Sequence, residues 1–305
     1  MNSNHNLVFL FSNWYSGATL LAILLNNHSK LVCNGETFPF QYDTNNKDVY
    51  ICSCGQHIRQ CDFFIKTTAS FKTKSGDWNN NFRILPNISS FKILNKVICS
   101  FNPHFSLMHL LLAPGTPLRN RLNRYLDIHQ EFYKQARSYY NDSACYIDGT
   151  KSIRRAELFI RYKQNKTKII YLIRDGRGFC WSYLKNHNLS TDQLNIAAIA
   201  WQKYISIVDE FQRRFPHVEV LVVRYEDLCE KLENTLSEVC EFLGIEYDST
   251  IIGQPTNHHL FGNRMRTSFD GIVREDLSWM KSFTDNDVRA LTELIKDDLT
   301  RFGYI

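Results

Sequence analysis

The sequence predicts an α/β fold: a P-loop-type parallel sheet flanked by helices, with a largely helical insertion over the site, in a single domain spanning residues 1–305. Three observations predict it. Apolar runs of strand length, Leu7–Phe11, Lys168–Ile173 and Val218–Val223, read as strands buried on both faces. Segments with helical spacing alternate with these runs, which is the pattern of a parallel sheet covered by helices. A polar, Ser- and Gly-containing turn, Ser12–Thr19, joins the first strand to the first helix.

The elements follow in order. Thr19–Asn27 reads as a helix with Leu20, Leu21, Leu24 and Leu25 on one face, ended by Asn26-Asn27-His28-Ser29. Leu31–Cys33 is a short strand before the turn Asn34-Gly35-Glu36. Residues from about 40 to 145 form the insertion, with helical patterns near Phe91–Ile98 and Leu118–Tyr140 and no repeat or linker. Regular alternation then returns: strand Ala144–Ile147, basic amphipathic helix Ile153–Tyr162, strand Lys168–Ile173, helix Gly178–Leu184 and a long helix Asp192–Phe215. Strand Val218–Val223 follows, then helix Leu232–Leu243 closed by Gly244, as glycine closes many helices, and a last helix Asn286–Phe302.

Bulk composition bounds the function. Hydrophobic residues make up 44% and charged residues 22%, ordinary for a globular protein. A net charge of +5 suits an anionic ligand without pointing to nucleic acid. No apolar run reaches the roughly 18 residues of a membrane helix, and the polar start Met1-Asn-Ser-Asn-His lacks a secretory n-region. The nine cysteines are odd in number and read as reduced thiols, so the expected location is the cytoplasm.

Two segments have the makings of anion sites. In Ser12–Thr19, Gly17 lets the backbone approach a phosphate, Ser16 and Thr19 supply hydroxyls, and the following helix offers its free N–H groups. An ordinary strand–helix turn with Ser as N-cap is the other reading. The G-x-x-x-x-G-K-[ST] loop of nucleoside triphosphatases is excluded, since no Gly precedes and no Lys follows Gly17; this disfavours a kinase or ATPase. The second segment is Arg174-Asp-Gly-Arg177-Gly-Phe-Cys-Trp-Ser182 at the end of a strand. Arg174 could clamp a phosphate with its planar fork, and Ser182 lies about two helical turns on. A surface Arg paired with Asp175 or Glu157 is the alternative.

Together, Ser16-Gly17-x-Thr19-Leu20-Leu21 and Arg174-Asp-Gly-Arg-Gly-x-x-Trp-Ser182 resemble the two nucleotide motifs of sulfotransferases that use 3′-phosphoadenosine 5′-phosphosulfate (PAPS). The resemblance, closest to the bacterial and tyrosylprotein-sulfotransferase-like branch, extends to Val223-Arg-Tyr225-Glu-Asp-Leu228, Phe242-Leu-Gly-Ile245, Gly262-Asn-Arg264-Met-Arg266, Trp279 and Phe302-Gly-Tyr304. It implies a single sulfotransferase-like domain and sulfuryl transfer from PAPS to a hydroxyl acceptor. It implies that Tyr15, Ser16, Gly17, Ala18, Thr19 and Leu20 hold the 5′-phosphosulfate, that Arg174 and Ser182 hold the 3′-phosphate, that Tyr225 lies near the adenine, and that Arg264 and Arg266 belong to a loop closing over the donor. For Tyr225 a half-buried strand-end aromatic, and for Arg264 and Arg266 a solvated basic loop, are the alternatives.

Sulfuryl transfer should proceed through a loose transition state, as phosphoryl transfer does, so positioning and charge stabilisation dominate and no metal is required. Cys33-Asn-Gly-Glu36-Thr37 resembles the C-G-E-E-T run of tyrosylprotein sulfotransferases, which implies Glu36 as the general base; a loop carboxylate that caps a backbone or pairs with a cation is the alternative. The family usually has Arg or Lys just before the loop Ser-Gly; here Tyr15 stands instead and carries no charge near neutral pH. Lys151, in Asp148-Gly-Thr-Lys151-Ser, resembles a D-S-S-K run of bacterial sulfotransferases and is the expected cation at the leaving phosphate oxygen, with a helix-flanking surface lysine as the alternative. A nucleotide-binding protein of the same fold without transfer activity is the alternative that Tyr15 motivates.

Cys52-x-Cys54-Gly…Cys61 has a metal-like spacing but only three thiol ligands, so His57 would have to be the fourth; structural or free thiols are the other reading. His258-His259 is the one adjacent histidine pair, read as acceptor-pocket lining or as polar loop. Trp201 is expected in the core. The acceptor, whether small alcohol, carbohydrate, lipid headgroup or peptide tyrosine, is not encoded in any motif.

Overall fold

A computed structural model describes residues 6–36, 51–58, 60–74, 83–87, 89–90, 95, 111–141, 143–163, 166–255 and 259–305. Its centre is a five-stranded parallel sheet in the order β2-β3-β1-β4-β5, made of β1 (Asn6–Ser12), β2 (Leu31–Cys33), β3 (Cys145–Asp148), β4 (Thr167–Ile173) and β5 (Val220–Arg224). The hydrophobic runs read from the sequence are these strands, within a residue or two at each end. The inner strands are apolar because both faces of the sheet are covered there, whereas the edge strand β5 is only partly buried and exposes Val222. Along β1, Leu7, Phe9 and Phe11 enter one core and Val8 and Leu10 the other, as the two-residue period of a strand requires.

Helix α1 (Ala18–Asn26) covers the second face, together with α7 (Tyr225–Glu230) and α8 (Leu232–Leu243). The first face carries α3 (Pro117–Tyr139), α4 (Ile153–Lys163), α5 (Gly176–His187) and α6 (Leu194–Arg214), with α2 (Asp62–Lys74) packed on α3. Where it is described, the insertion is largely helical, in α2 and α3, with a non-helical loop at 51–58 ahead of α2. Its expected helix at Phe91–Ile98 lies outside the described residues apart from Asn95. Short helices α9 (Met265–Ser268) and α10 (Ser278–Ser282) precede α11 (Asp285–Leu294) and α12 (Lys296–Arg301).

Two expected helices differ in detail. The long helix begins with a 3-10 turn, Thr191–Gln193, closed by a capping box between Ser190 and Gln193. The pattern Asn286–Phe302 is two helices, not one: the chain turns at Ile295, which is fully buried. A Cβ on Gly176 would meet Ile295 Cδ1 at 2.4 Å, so the side chain at the break fills the space above the first turn of α5. Trp201 is core, as expected, and donates from Nε1 to the Arg174 carbonyl at 3.2 Å.

The end of β3 is fixed by a buried polar network. Asp148, Arg155 and Tyr133 are deeply buried; Arg155 Nε donates to Asp148 Oδ2 at 2.7 Å and the Tyr133 hydroxyl to the same oxygen at 2.5 Å. Asp148 Oδ1 accepts from the Thr150 N–H at 3.0 Å and from its hydroxyl at 2.5 Å. Burying these charges is tolerable because each has partners. The network ties α3 and α4 to the turn that carries Lys151.

Candidate functional site

The loop after β1 sits at the carboxyl edge of the central strand, where parallel sheets bind ligands. Gly17 takes a left-handed conformation (φ 86°) as N-cap of α1. A Cβ there would come within 2.4 Å of the Tyr225 ring, so the position excludes any side chain. The first helical bond runs from Leu21 N–H to the Gly17 carbonyl, which leaves the N–H groups of Ala18, Thr19 and Leu20 without an acceptor in the helix. Ser16 is buried, its hydroxyl donating to the Trp14 carbonyl at 3.3 Å. Thr19 Oγ1 accepts from the Asn263 N–H at 3.5 Å, which brings the late 262–266 turn onto the start of α1.

Because β4 neighbours β1, the second motif meets the first. Arg174 Nη1 donates to the Tyr15 carbonyl at 3.0 Å and to Ser182 Oγ at 3.3 Å, while Nη2 donates to the carbonyl and carboxylate of Asp276 at 2.7 and 3.2 Å. The guanidinium lies 4.9 Å from the centre of the Tyr225 ring. A Cβ on Gly178 would fall 2.9 Å from Arg174 Nε, so the bare glycine lets the arginine lie along the first turn of α5 toward Ser182. Asp175 caps α5 and pairs with Arg177 at 2.6 Å. Tyr225 is held by its hydroxyl, which accepts from the Asp276 N–H at 3.0 Å.

Glu36 and Lys151 meet across the ends of β2 and β3. Lys151 Nζ lies 2.6 Å from Glu36 Oε1, with the lysine mostly enclosed and the carboxylate half exposed. Lys151 adopts φ 60°, a costly conformation for a lysine, held by the Asp148–Thr150 bonds beside it. Glu36 is fixed through its backbone: its N–H donates to the Phe261 carbonyl at 3.0 Å, beside the parallel bridge Gly35–Phe261. A pocket of about 580 Å³ opens here, lined by Asn13 and Trp14 of the loop, Glu36, Lys151, Phe179 and Lys203 among others.

Lys203 is the pocket cation that sequence reasoning missed. Its signal was the stripe Ala200, Lys203, Tyr204 and Ile207, which at helical spacing turns one face of α6 to the pocket. Tyr204 completes the stripe by accepting the Ser12 N–H at 2.8 Å. Tyr15 packs on Phe179 and His187, and burial raises its hydroxyl pKa, so it stays neutral. The two late arginines part company. Arg264 is exposed, whereas Arg266 is buried and donates to the carbonyls of Ile51, Gly262 and Asn263 at 2.7, 2.8 and 3.0 Å. Arg266 therefore ties the insertion to the 262–266 turn, in place of the solvated basic loop that was the alternative.

The expectations for His57 and His259 need correction. His258 lies outside the described residues, and His259 does not line the pocket; its Nδ1 faces Cys61 Sγ at 3.1 Å and Cys52 Sγ at 3.5 Å. His57, expected as fourth member of the cysteine group, is not part of it; His259 is.

The turn bearing Lys151, the strand and helix bearing Arg174 and Ser182, and the segments bearing Tyr225, Arg264 and Arg266 lie in one stretch of chain. Residues 149–272 match the sulfotransferase domain family. Solved structures with this sulfotransferase fold include the sulfotransferase domain from the curacin biosynthetic pathway (TM-score 0.51, 15% identity, covering 96% of this chain and 98% of that chain). They also include the sulfotransferase domain of the Synechococcus PCC 7002 olefin synthase (TM-score 0.50, 17% identity, covering 96% of this chain and 94% of that chain). No curated protein matches the chain by sequence. The resemblance read from the nucleotide motifs is thus joined by an independent family match over residues 149–272, which supports sulfuryl transfer in general, and by a likeness of fold. Among the described residues, no helix of this sulfotransferase fold is long and apolar enough to cross a membrane.

Proposed function

We propose that the protein is a PAPS-dependent sulfotransferase that moves a sulfuryl group in line to a hydroxyl acceptor bound in the Glu36–Lys151 pocket. The observation that carries this reading is the Arg174 guanidinium, which bridges the loop after β1, through the Tyr15 carbonyl, to Ser182. Two anion sites on one arginine suit a nucleotide with phosphate on both its 3′ and 5′ oxygens. In this reading the N–H groups of Ala18, Thr19 and Leu20, with Ser16 and Thr19, hold the 5′-phosphosulfate. Arg174 and Ser182 hold the 3′-phosphate, for which Arg174 exchanges Asp276. Tyr225 flanks the nucleotide, and Arg264 is the member of the late loop that remains solvent-facing.

Glu36 is the base that takes the acceptor proton, and Lys151 steadies the charge that grows on the leaving phosphate oxygen. Their ion pair neutralises both groups until an anionic donor attracts Lys151 and releases the carboxylate to the acceptor. Lys203, which also lines the pocket, adds positive charge that offsets the neutral Tyr15 where the family pattern has a cation.

Thermal stabilisation by adenosine 3′,5′-bisphosphate but not by ATP with magnesium is the expected binding signature. Arg174→Ala should weaken the bisphosphate roughly 10–100-fold, the loss of one or two charge-assisted hydrogen bonds. With radiolabelled donor and a panel of alcohols, sugars, lipids and phenols, Lys151→Ala and Glu36→Gln should each cost turnover on the order of 10²–10³-fold with bisphosphate affinity little changed. Bisphosphate binding with no transfer to any acceptor would favour a nucleotide-binding protein without transferase activity. Stabilisation by ATP alone would overturn the reading.

A further inference from the structure

Beside the pocket, and apart from its chemistry, four side chains from three regions of the chain turn their donor atoms toward one point. Cys52 and Cys54 come from the 51–58 loop, Cys61 from the residue before α2, and His259 from the segment that bridges to Gly35. Their sulfur and Nδ1 atoms all lie within 4.8 Å of one another. Cys54 and Cys61 sulfurs are 3.8 Å apart, and His259 Nδ1 lies 3.1 Å from Cys61 Sγ and 3.5 Å from Cys52 Sγ. A tetrahedral zinc with Zn–S of about 2.3 Å and Zn–N of about 2.0–2.1 Å sets S···S near 3.8 Å and S···N near 3.5 Å. A disulfide, by contrast, needs sulfurs about 2.05 Å apart and would strand the third thiol and the imidazole. We propose that Cys52, Cys54, Cys61 and His259 bind a structural zinc ion that fastens the 51–61 loop to the segment holding Glu36.

The surroundings are those of a metal site. The backbone N–H groups of Cys54, Gln56 and Phe64 point at the sulfurs of Cys52, Cys54 and Cys61, the pattern that stabilises bound thiolates. Gly55, at φ 80°, makes the tight turn of Cys-x-Cys-Gly, and the Cys52 N–H closes it on the Gln56 carbonyl at 2.9 Å. The imidazole is oriented on both sides. Its ring stacks on Phe63 (5.4 Å, 13°), and Nε2 faces the Tyr139 hydroxyl at 3.5 Å, which donates in turn to Asp62 at 2.9 Å. Nδ1 is thereby left to the metal, with a carboxylate–tyrosine chain behind the ring. Three thiolates and one imidazole in a tetrahedron select zinc among common divalent ions. Cys52 and Cys61 are buried and Cys54 is exposed, which gives the ion an entry side. With four protein ligands the site is closed and has no position for substrate.

The fastening follows from the next residues. Ser53 N–H donates to the Leu260 carbonyl at 3.1 Å, and Leu260 N–H to Ser53 Oγ at 2.9 Å. Phe261, two residues from His259, then receives the Glu36 N–H.

The full chain, purified without chelator from zinc-supplemented medium, should carry about one zinc per molecule by plasma mass spectrometry. Cys54→Ser, a small change at the exposed ligand, should lower that content at least several-fold, as should His259→Gln. Cobalt exchanged into the wild-type protein should give the intense visible bands of a tetrahedral thiolate site, a readout that does not depend on any variant folding. Three results would each overturn the proposal: metal-free protein, an intact mass two hydrogens low from a Cys54–Cys61 disulfide, or unchanged zinc in Cys54→Ser, which marks an adventitious ion.

Discussion

Gly17 and Tyr225 compete for one small volume, and their fit sets the shape of the loop. Gly17→Ala would add a methyl group 2.4 Å from the Tyr225 ring and also strain a left-handed backbone. Loss of detectable bisphosphate binding with a melting temperature lowered by only a few degrees is expected, and normal binding in a titration would refute the role of this contact. Glu226 offers a test by pH. Its carboxylate accepts the Asp175 N–H and the Tyr304 hydroxyl at 3.0 Å each, yet burial raises its pKa above the usual 4.5. A raised carboxyl pKa favours the fold below the unfolded value and loses that contribution as pH rises through the folded one. The melting temperature of Glu226→Gln relative to wild type should therefore climb between acidic and neutral pH; a flat difference would contradict it. At this scale the sequence was unevenly legible. Glu36 and Lys151 stand in short local motifs and could be named as candidates. His259 could not be paired with the cysteines, because it lies 198 residues from Cys61 and only the fold joins them, so the nearby His57 took its place in the local reading.

Elements were legible where burial leaves a simple pattern. Strands covered on both faces read as unbroken apolar runs, and α8 announced its end with Gly244 in a left-handed conformation. The break between α11 and α12 was hidden, because it spans the single residue Ile295, which satisfies the helical period and keeps its bonds to Leu291 and Leu299. Nor did the turn after β3 advertise its support, since Asp148, Tyr133 and Arg155 are drawn from three separate elements. Asp148→Asn removes the carboxylate that faces buried Arg155, and a broken buried pair costs about 3–5 kcal/mol. Calorimetry should register a melting temperature lower by more than about 5 °C. Activity should fall beyond the loss of folded protein, because the same side chain holds the Thr150–Lys151 turn. A variant that melts with the wild type would refute this.

Across the whole molecule, the proposed metal site and the Gly35–Phe261 bridge join the 51–61 loop, the end of β2 and the late 259–266 segment, so the pocket borders three distant parts of the chain. If zinc is the fastener, a chelator should lower the melting temperature of the full chain while Cys54→Ser shows a smaller response; equal responses would contradict the link. The sheet order carries a consequence in time. β1 is the central strand, yet its partners on either side begin at Cys145 and Thr167. During synthesis at about 5–20 residues per second, Leu7–Phe11 must wait roughly 7 to 27 seconds before either neighbour emerges. Through that interval a nascent chain holds its apolar central strand without a sheet to join, in a topology of long-range contacts that closes slowly. Yield of soluble protein should therefore respond more to translation speed and holding chaperones than to the stability of the finished fold.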